Sequence, residues 1–219
     1  MEKRHFLIDK YHTWYDWGLV LTDKSAPDPE PKTYYMALDG VDGDLDMTEV
    51  LTGEVAYNSR TVTASFSASN GTYKEREALL REITAAVHGR KVKLVDPDDT
   101  ERYFLGRVKV VPGVRHVSYH TFILEAICDP YRYAMEESSR RVEVANGSAK
   151  EVVLLNLGRK TLCPEITVDG TVTLTFSGAT AELTTGTYKV ADIKLRTGAT
   201  VVRVAGNGVV TFTYREAWL

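Results

Sequence analysis

Five acidic residues crowd positions 39–49, and three of them, Asp42, Asp44 and Asp46, stand at alternate positions. Acids at that spacing open a helix-loop-helix calcium loop, which then needs Gly at its sixth position and Glu at its twelfth. Counted from Asp42, those positions hold Met47 and Gly53, so the loop fails. The segment reads as a Gly/Asp-rich turn, with an irregular cation site as the other reading.

The remaining chemistry is thinner. The histidines are His5, His12, His88, His116 and His120, and no two form a HExxH pair. Cys128 and Cys163 lie too far apart for a zinc ribbon. His116 and His120 share a face of a strand pattern, but four residues along a strand span about 13 Å, too far for one ion. There is no Gly-x-Ser-x-Gly elbow, P-loop or GxGxxG. Carboxylates are plentiful, yet nothing sets two of them apart as the pair of a glycosidase. The expectation is a protein with no catalytic, cofactor or metal site, and not an enzyme.

Composition narrows the class. With 27 basic and 30 acidic residues the net charge is -3, which argues against a dedicated nucleic-acid binder. The N-terminal MEKRHFLIDKYHTWYDWG has a charged start and no apolar run, so it does not read as a signal peptide. No stretch reaches the roughly 18 apolar residues of a membrane helix. The two cysteines are then expected to be reduced, in a protein that folds in a cytoplasm.

The elements that must position these residues are mostly strands. Arg60–Ala68 alternates, with Val62, Ala64, Phe66 and Ala68 on one face. Segments 92–95, 102–105, 108–111 and 119–126 read likewise. Asp96-Pro97-Asp98-Asp99 is a turn signal that makes a hairpin of its flanks. One helix is expected near 73–88, with Leu79, Leu80, Ile83 and Val87 as its apolar stripe. Thr72 and Glu75 have the spacing of a capping box, and Gly89 stands where a terminating glycine belongs. The aromatic cluster from Tyr11 to Trp17 reads as an anchor of the first strand in the core. Ala26–Lys32, with three prolines, reads as a stiff loop, either a surface arm that contacts a neighbour or a solvated connector.

Residues 135–141 are polar and read as a linker. Beyond them, short Val/Thr/Leu-rich strands alternate with turns at Asn146-Gly147, Asp169-Gly170, Ser177-Gly178, Thr185-Gly186, Thr197-Gly198 and Gly206-Asn207-Gly208. That spacing suggests an antiparallel β-sandwich. The fold class is therefore mainly β. A first β-sandwich-like domain with one α-helix (1–134) precedes a second, all-β domain (135–219).

Seven short motifs, in order, carry a resemblance. They are Asp16-Trp17-Gly18-Leu19; Val41-Asp42-Gly43; Asn58-Ser59-Arg60; His88-Gly89-Arg90; Tyr103 with Gly106-Arg107-Val108; Asp129-Pro130-Tyr131; and Tyr214-Arg215-Glu216. Together they span nearly the whole chain, which resembles the distal tail proteins of long-tailed bacteriophages and prophages. The chain departs from that pattern in lacking an arginine before Asp42 and in splitting the Asn-Arg pair around Ser59.

The resemblance implies a structural virion-assembly protein. The first domain would form a hexameric ring joining the tail tube to the baseplate, and the second would be a galectin-like sandwich facing outward. Its partners would be further copies of itself, the tail-tube protein, the tail-associated hub protein and receptor-binding proteins. DNA would enter only as cargo through the lumen, and no membrane partner is implied. The protein would reside at the virion tail tip, and in the host cytoplasm during assembly. Asn58, Arg60, Gly106 and Arg107 are the subunit-interface candidates. Each arginine is read either as bracing a neighbouring subunit or as an ion pair or turn support within its own domain. The alternative function is a carbohydrate-binding β-sandwich module for attachment to a host surface. It would rest on the aromatics Phe176, Tyr188, Phe212, Tyr214 and Trp218 of the second domain.

Overall fold

The computed structural model describes residues 4–50, 52–145 and 147–219. Asn146 of the Asn146-Gly147 turn and the first three residues of the N-terminal segment lie outside the described residues. The chain divides into two compact units, residues 1–132 with Leu219, and residues 133–218. The fold class is as expected: mainly β, with one helix in the first unit and an antiparallel sheet in each.

The first unit runs β1 (Leu7–Ile8), β2 (Tyr11–His12), β3 (Val20–Ser25), β4 (Tyr35–Ala37), β5 (Asp44–Asp46), β6 (Arg60–Ala68), α1 (Tyr73–Val87), β7 (Lys91–Asp96), β8 (Asp99–Arg115) and β9 (His120–Ala134). Its main sheet has the order β2-β1-β7-β8-β9-β6-β3. Alternation does the positioning. Val62, Ala64, Phe66 and Ala68 of β6 point inward, in register with Ala126, Leu124, Phe122 and His120 of β9. Phe66 stacks on Phe122 at 5.6 Å and meets Phe6 edge-on at 6.4 Å. Each such buried ring contributes on the order of 1.5–3 kcal/mol.

Helix α1 closes the core with Leu80, Ile83 and Val87. It starts where the Thr72/Glu75 capping box forms, and Gly89 follows its end with φ +74°. Arg76 is buried; it donates to the carbonyls of Gly71 and Val117 and so ties the helix to the β8–β9 turn. In the N-terminal cluster Trp17 is buried and stacks on Tyr11 at 5.0 Å, while Tyr15 is exposed.

Three local readings change. Segments 102–105 and 108–111 are one 17-residue strand, β8, that passes through Gly106-Arg107 without a break. His116 sits in the turn between β8 and β9, where its N–H donates to the Tyr119 carbonyl at 2.8 Å, so it shares no strand face with His120. The polar stretch at 135–141 is only partly a connector, because strand pairing begins at Ser138.

The second unit contains β10 (Ser138–Val144), β11 (Ala149–Asn156), β12 (Glu165–Phe176), β13 (Ala179–Tyr188), β14 (Gly198–Tyr214) and β15 (Ala217–Trp218). Strand β14 organises it. Its first half pairs β11, its second half pairs β10, and its other edge pairs β12, which in turn pairs β13. Gly170 of β12 and Gly208 of β14 face each other with φ +112° and +159°. A Cβ on Gly208 would lie 2.3 Å from the Asp169 carbonyl oxygen, so only glycine allows this approach. The enclosed core includes Leu154, Ile166, Leu174, Val202, Val210 and Phe212.

Candidate functional site

Residues 26–59, between β3 and β6, leave the main sheet and return to it. The outgoing and returning chains are laced together. Lys32 N–H donates to the Ala56 carbonyl and Asn58 N–H to that of Glu30, both at 2.8 Å, and Pro31 bridges to Tyr57. Beyond this root the chain forms an arm, closed by the β4–β5 ladder, which pairs with no other strand among the described residues. Met47 N–H donates to the Tyr34 carbonyl at 2.8 Å and continues the ladder. The Thr48 hydroxyl, and then Thr48 N–H at 2.9 Å, hydrogen-bond to Asp46 and hold its carboxyl below the ordinary pKa.

The arm is unusual in what it leaves in water. Tyr34, Tyr35, Leu38, Val41, Leu45 and Val50 are all exposed, Val41 to 61% and Val50 to 62%. Scattered exposed apolar residues are ordinary; this many on one short element mark an interaction surface. Among the described residues no three of His, Cys, Asp or Glu come together as metal ligands, in the arm or elsewhere.

Arg60, at the start of β6, pins the root. Its side chain is only 2% exposed, while that of its carboxylate partner Asp28 is 89% exposed at 3.5 Å. Its NH2 group donates to the Ala26 carbonyl at 3.0 Å and its NH1 group to the Pro130 carbonyl at 3.4 Å. The guanidinium lies over the Phe104 ring, 5.2 Å from its centre. Burial is the largest influence on its pKa and lowers it, and Asp28 opposes that. These hydrogen bonds support the arm's root within the same unit. Together with Lys24, Ala26, Asp28, Asp96, Phe104 and Arg132, Arg60 lines a cleft of about 260 Å³. Arg132, which carried no expectation, donates to Asp99 at 3.1 Å and to the Leu219 carbonyl at 2.8 Å.

The other interface candidates fall at two places. Asn58 is exposed at the arm's root, beside Tyr57, whose ring meets Tyr131 edge-on at 6.1 Å. Gly106 is buried beneath Cys128, the register partner of Arg60. Arg107 is exposed, pairs with Lys91 in the sheet and donates to the Gly89 carbonyl. The structure therefore joins Arg60 and Gly106 around Cys128, joins Asn58 to the root, and sets Arg107 on a separate surface. Burial raises the Cys128 thiol to about 12, and the charge of Arg60 only partly offsets this. Both cysteines are free, and Cys163 is exposed.

Five exposed cations adjoin one another around Arg107. Arg90, Lys91, Lys93, Arg107 and Lys109 occupy adjoining positions where β7 begins against β8. The acids beside them are Asp129, 3.4 Å from Lys91, Glu125, 3.9 Å from Lys109, and Asp9, whose carboxylate accepts from Lys93 N–H at 2.8 Å. Ile127, between Glu125 and Asp129 on β9, is 64% exposed.

The last motif is a clasp inside the second unit. The Tyr214 hydroxyl donates to the Leu155 carbonyl at 2.7 Å and accepts from Leu155 N–H at 3.1 Å. Arg215 reaches the Ala134 and Met135 carbonyls and Glu137, and Glu216 accepts from Leu157 N–H at 2.7 Å. Phe212 and Tyr214 are buried, and Phe176, Tyr188 and Trp218 are half-buried.

No protein-family model matches the chain, and no curated protein matches it. Among solved structures it is similar to the SPP1 Dit (gp 19.1) protein, described as a paradigm of the hub adsorption apparatus in phages that infect Gram-positive bacteria. The alignment covers 100% of both chains with a TM-score of 0.71 and 14% identity. At that identity the likeness is one of fold, and it extends over both units.

Proposed function

We propose that the protein is a structural component of a phage tail tip, acting as the hub that joins the tail tube to the adsorption apparatus. The observation that carries this reading is the full-length likeness of fold to the SPP1 Dit protein. A likeness confined to one unit would fit many β proteins; one that spans both chains end to end preserves the domain pairing as well.

In this reading six copies close a ring. The first domain (1–134) forms the ring wall, and the galectin-like second domain (135–219) faces outward. The ring stacks on the tail-tube protein on one side and on the tail-associated hub protein on the other, with receptor-binding proteins further out. DNA passes through the lumen as cargo, and the work is structural rather than catalytic. Closed symmetry also suits a sheet whose outermost strands, β2 and β3, each have one partner among the described residues, because a ring satisfies edges without open polymerisation. Asn58 and Arg107 lie at the contacts between copies, and Arg60 and Gly106 hold the surfaces that make them.

Light scattering and native mass spectrometry over a range of concentrations test this. The expected result is a closed species near six times the 24.4 kDa chain mass, which binds tube and hub proteins. A monomer that stays monomeric in their presence overturns it.

A further inference from the structure

We propose that the arm, residues 33–55, is an exchange element: the arm of one copy lies across the basic surface where β7 begins against the middle of β8 on the next copy. This rests on the ring reading and names the contact that closes it.

The first observation is the arm itself. Its paired strands join no other sheet among the described residues, and its apolar side chains stay in water in the single chain. The second is charge. Between residues 33 and 55 there are six acidic residues and no lysine or arginine. Five exposed cations of the first unit, Arg90, Lys91, Lys93, Arg107 and Lys109, adjoin one another, with Asp9, Glu125 and Asp129 as the acids beside them. Exposed Ile127 adds an apolar patch beside them. An acidic arm with aromatic and aliphatic side chains matches a basic surface with an apolar centre, in both sign and polarity.

The third observation is preorganisation. The root is laced by Lys32–Ala56 and Asn58–Glu30 hydrogen bonds and pinned by buried Arg60, so the arm leaves the sheet from a fixed base. A prebuilt arm loses less entropy on docking than a free loop. The two surfaces differ, so the contact is heterologous, the type that generates rings when its rotation closes.

The test uses the full chain. One variant carries Asp42→Lys and Asp44→Lys, a second carries Arg107→Glu and Lys109→Glu, and a third carries all four changes. Far-UV circular dichroism checks that each stays folded. A photo-cross-linking residue at Val41 reports what the arm touches, read by peptide mass spectrometry. The expected result is a six-copy species in the unaltered chain. Either double variant should raise its half-assembly concentration about tenfold or more, and the four-fold variant should recover most of that. Val41 should cross-link to peptides from residues 90–109 of a second copy. A six-copy species that both double variants keep, with cross-links elsewhere, overturns the arm contact and leaves the ring standing. Cross-links from Val41 only to a different tail protein overturn it as well. A chain that never assembles, even with tube and hub proteins present, and shows no arm cross-link overturns both readings.

Discussion

Gly106 and Cys128 are packed so closely across β8 and β9 that a Cβ at residue 106 would lie 2.4 Å from the Cys128 sulfur and 2.8 Å from the Ile127 carbonyl oxygen. The glycine is a spacing element, not a turn. Gly106→Ala is expected to cost about 1–3 kcal/mol through overpacking, seen as a lowered melting temperature. Adding Cys128→Ala should recover only part of this, because the backbone contacts remain. Full recovery would show that the sulfur alone sets the spacing.

Burial also decides the reactivity of the two thiols. Cys128, raised to about 12, should resist a thiol reagent at pH 8 in the native protein, while exposed Cys163 reacts. Counting labelled thiols before and after denaturation checks this, with one expected and then two.

Arg60 and Asp28 should behave very differently on substitution. Arg60→Ala strips a donor from the Ala26 and Pro130 carbonyls and is expected to cost about 1–3 kcal/mol. It should also speed amide exchange across residues 26–32. Asp28→Asn removes an exposed, long ion pair and should change stability by less than about 0.5 kcal/mol. Equal effects would mean that the ion pair, rather than the carbonyls, holds the root.

The helix cap carries a pH dependence with a definite sign. Glu75 accepts from Thr72 N–H and from its hydroxyl, and both bonds lower its pKa. A carboxyl depressed in the folded state adds stability above its unfolded pKa and loses it as the pH falls through the folded value. The cap should hold constant near neutrality and weaken once the pH drops below about 4. Glu75→Gln should flatten that part of the stability–pH curve. Thr72→Ala should cost about 1 kcal/mol across the range.

Tyr214→Phe keeps the buried ring and removes a hydroxyl that serves both backbone groups of Leu155. A loss of about 1–2 kcal/mol is expected, with faster amide exchange at Leu155. An unchanged exchange rate would show that the edge of β11 is held by its β14 ladder alone.

Local chemistry made much of the chain legible from its sequence. The inward face of β6, the helix with its Thr72/Glu75 cap and the Asp96–Asp99 hairpin depend on periodicity and on residues within a few positions of one another. The seven ordered motifs pointed to a fold that the full-length likeness then matched. What stayed hidden is long-range. Arg60 turns inward because the carbonyls it serves lie 34 and 70 residues away, at Ala26 and Pro130. Strand β8 runs through Gly106 because β9 packs onto it there, and Ser138–Arg141 become strand because β14 offers a ladder to pair with. The acids at 39–49 looked like a failed ion loop; pairing of β4 with β5 places them along an arm. Sequence alone determined the helix, the strands with clear alternation and which way their apolar side chains point. Tertiary structure decided where each buried charge found its partners and which apolar surface was left in water. A hydrogen bond or a packed face needs a second segment, and its position is set only when the chain has folded.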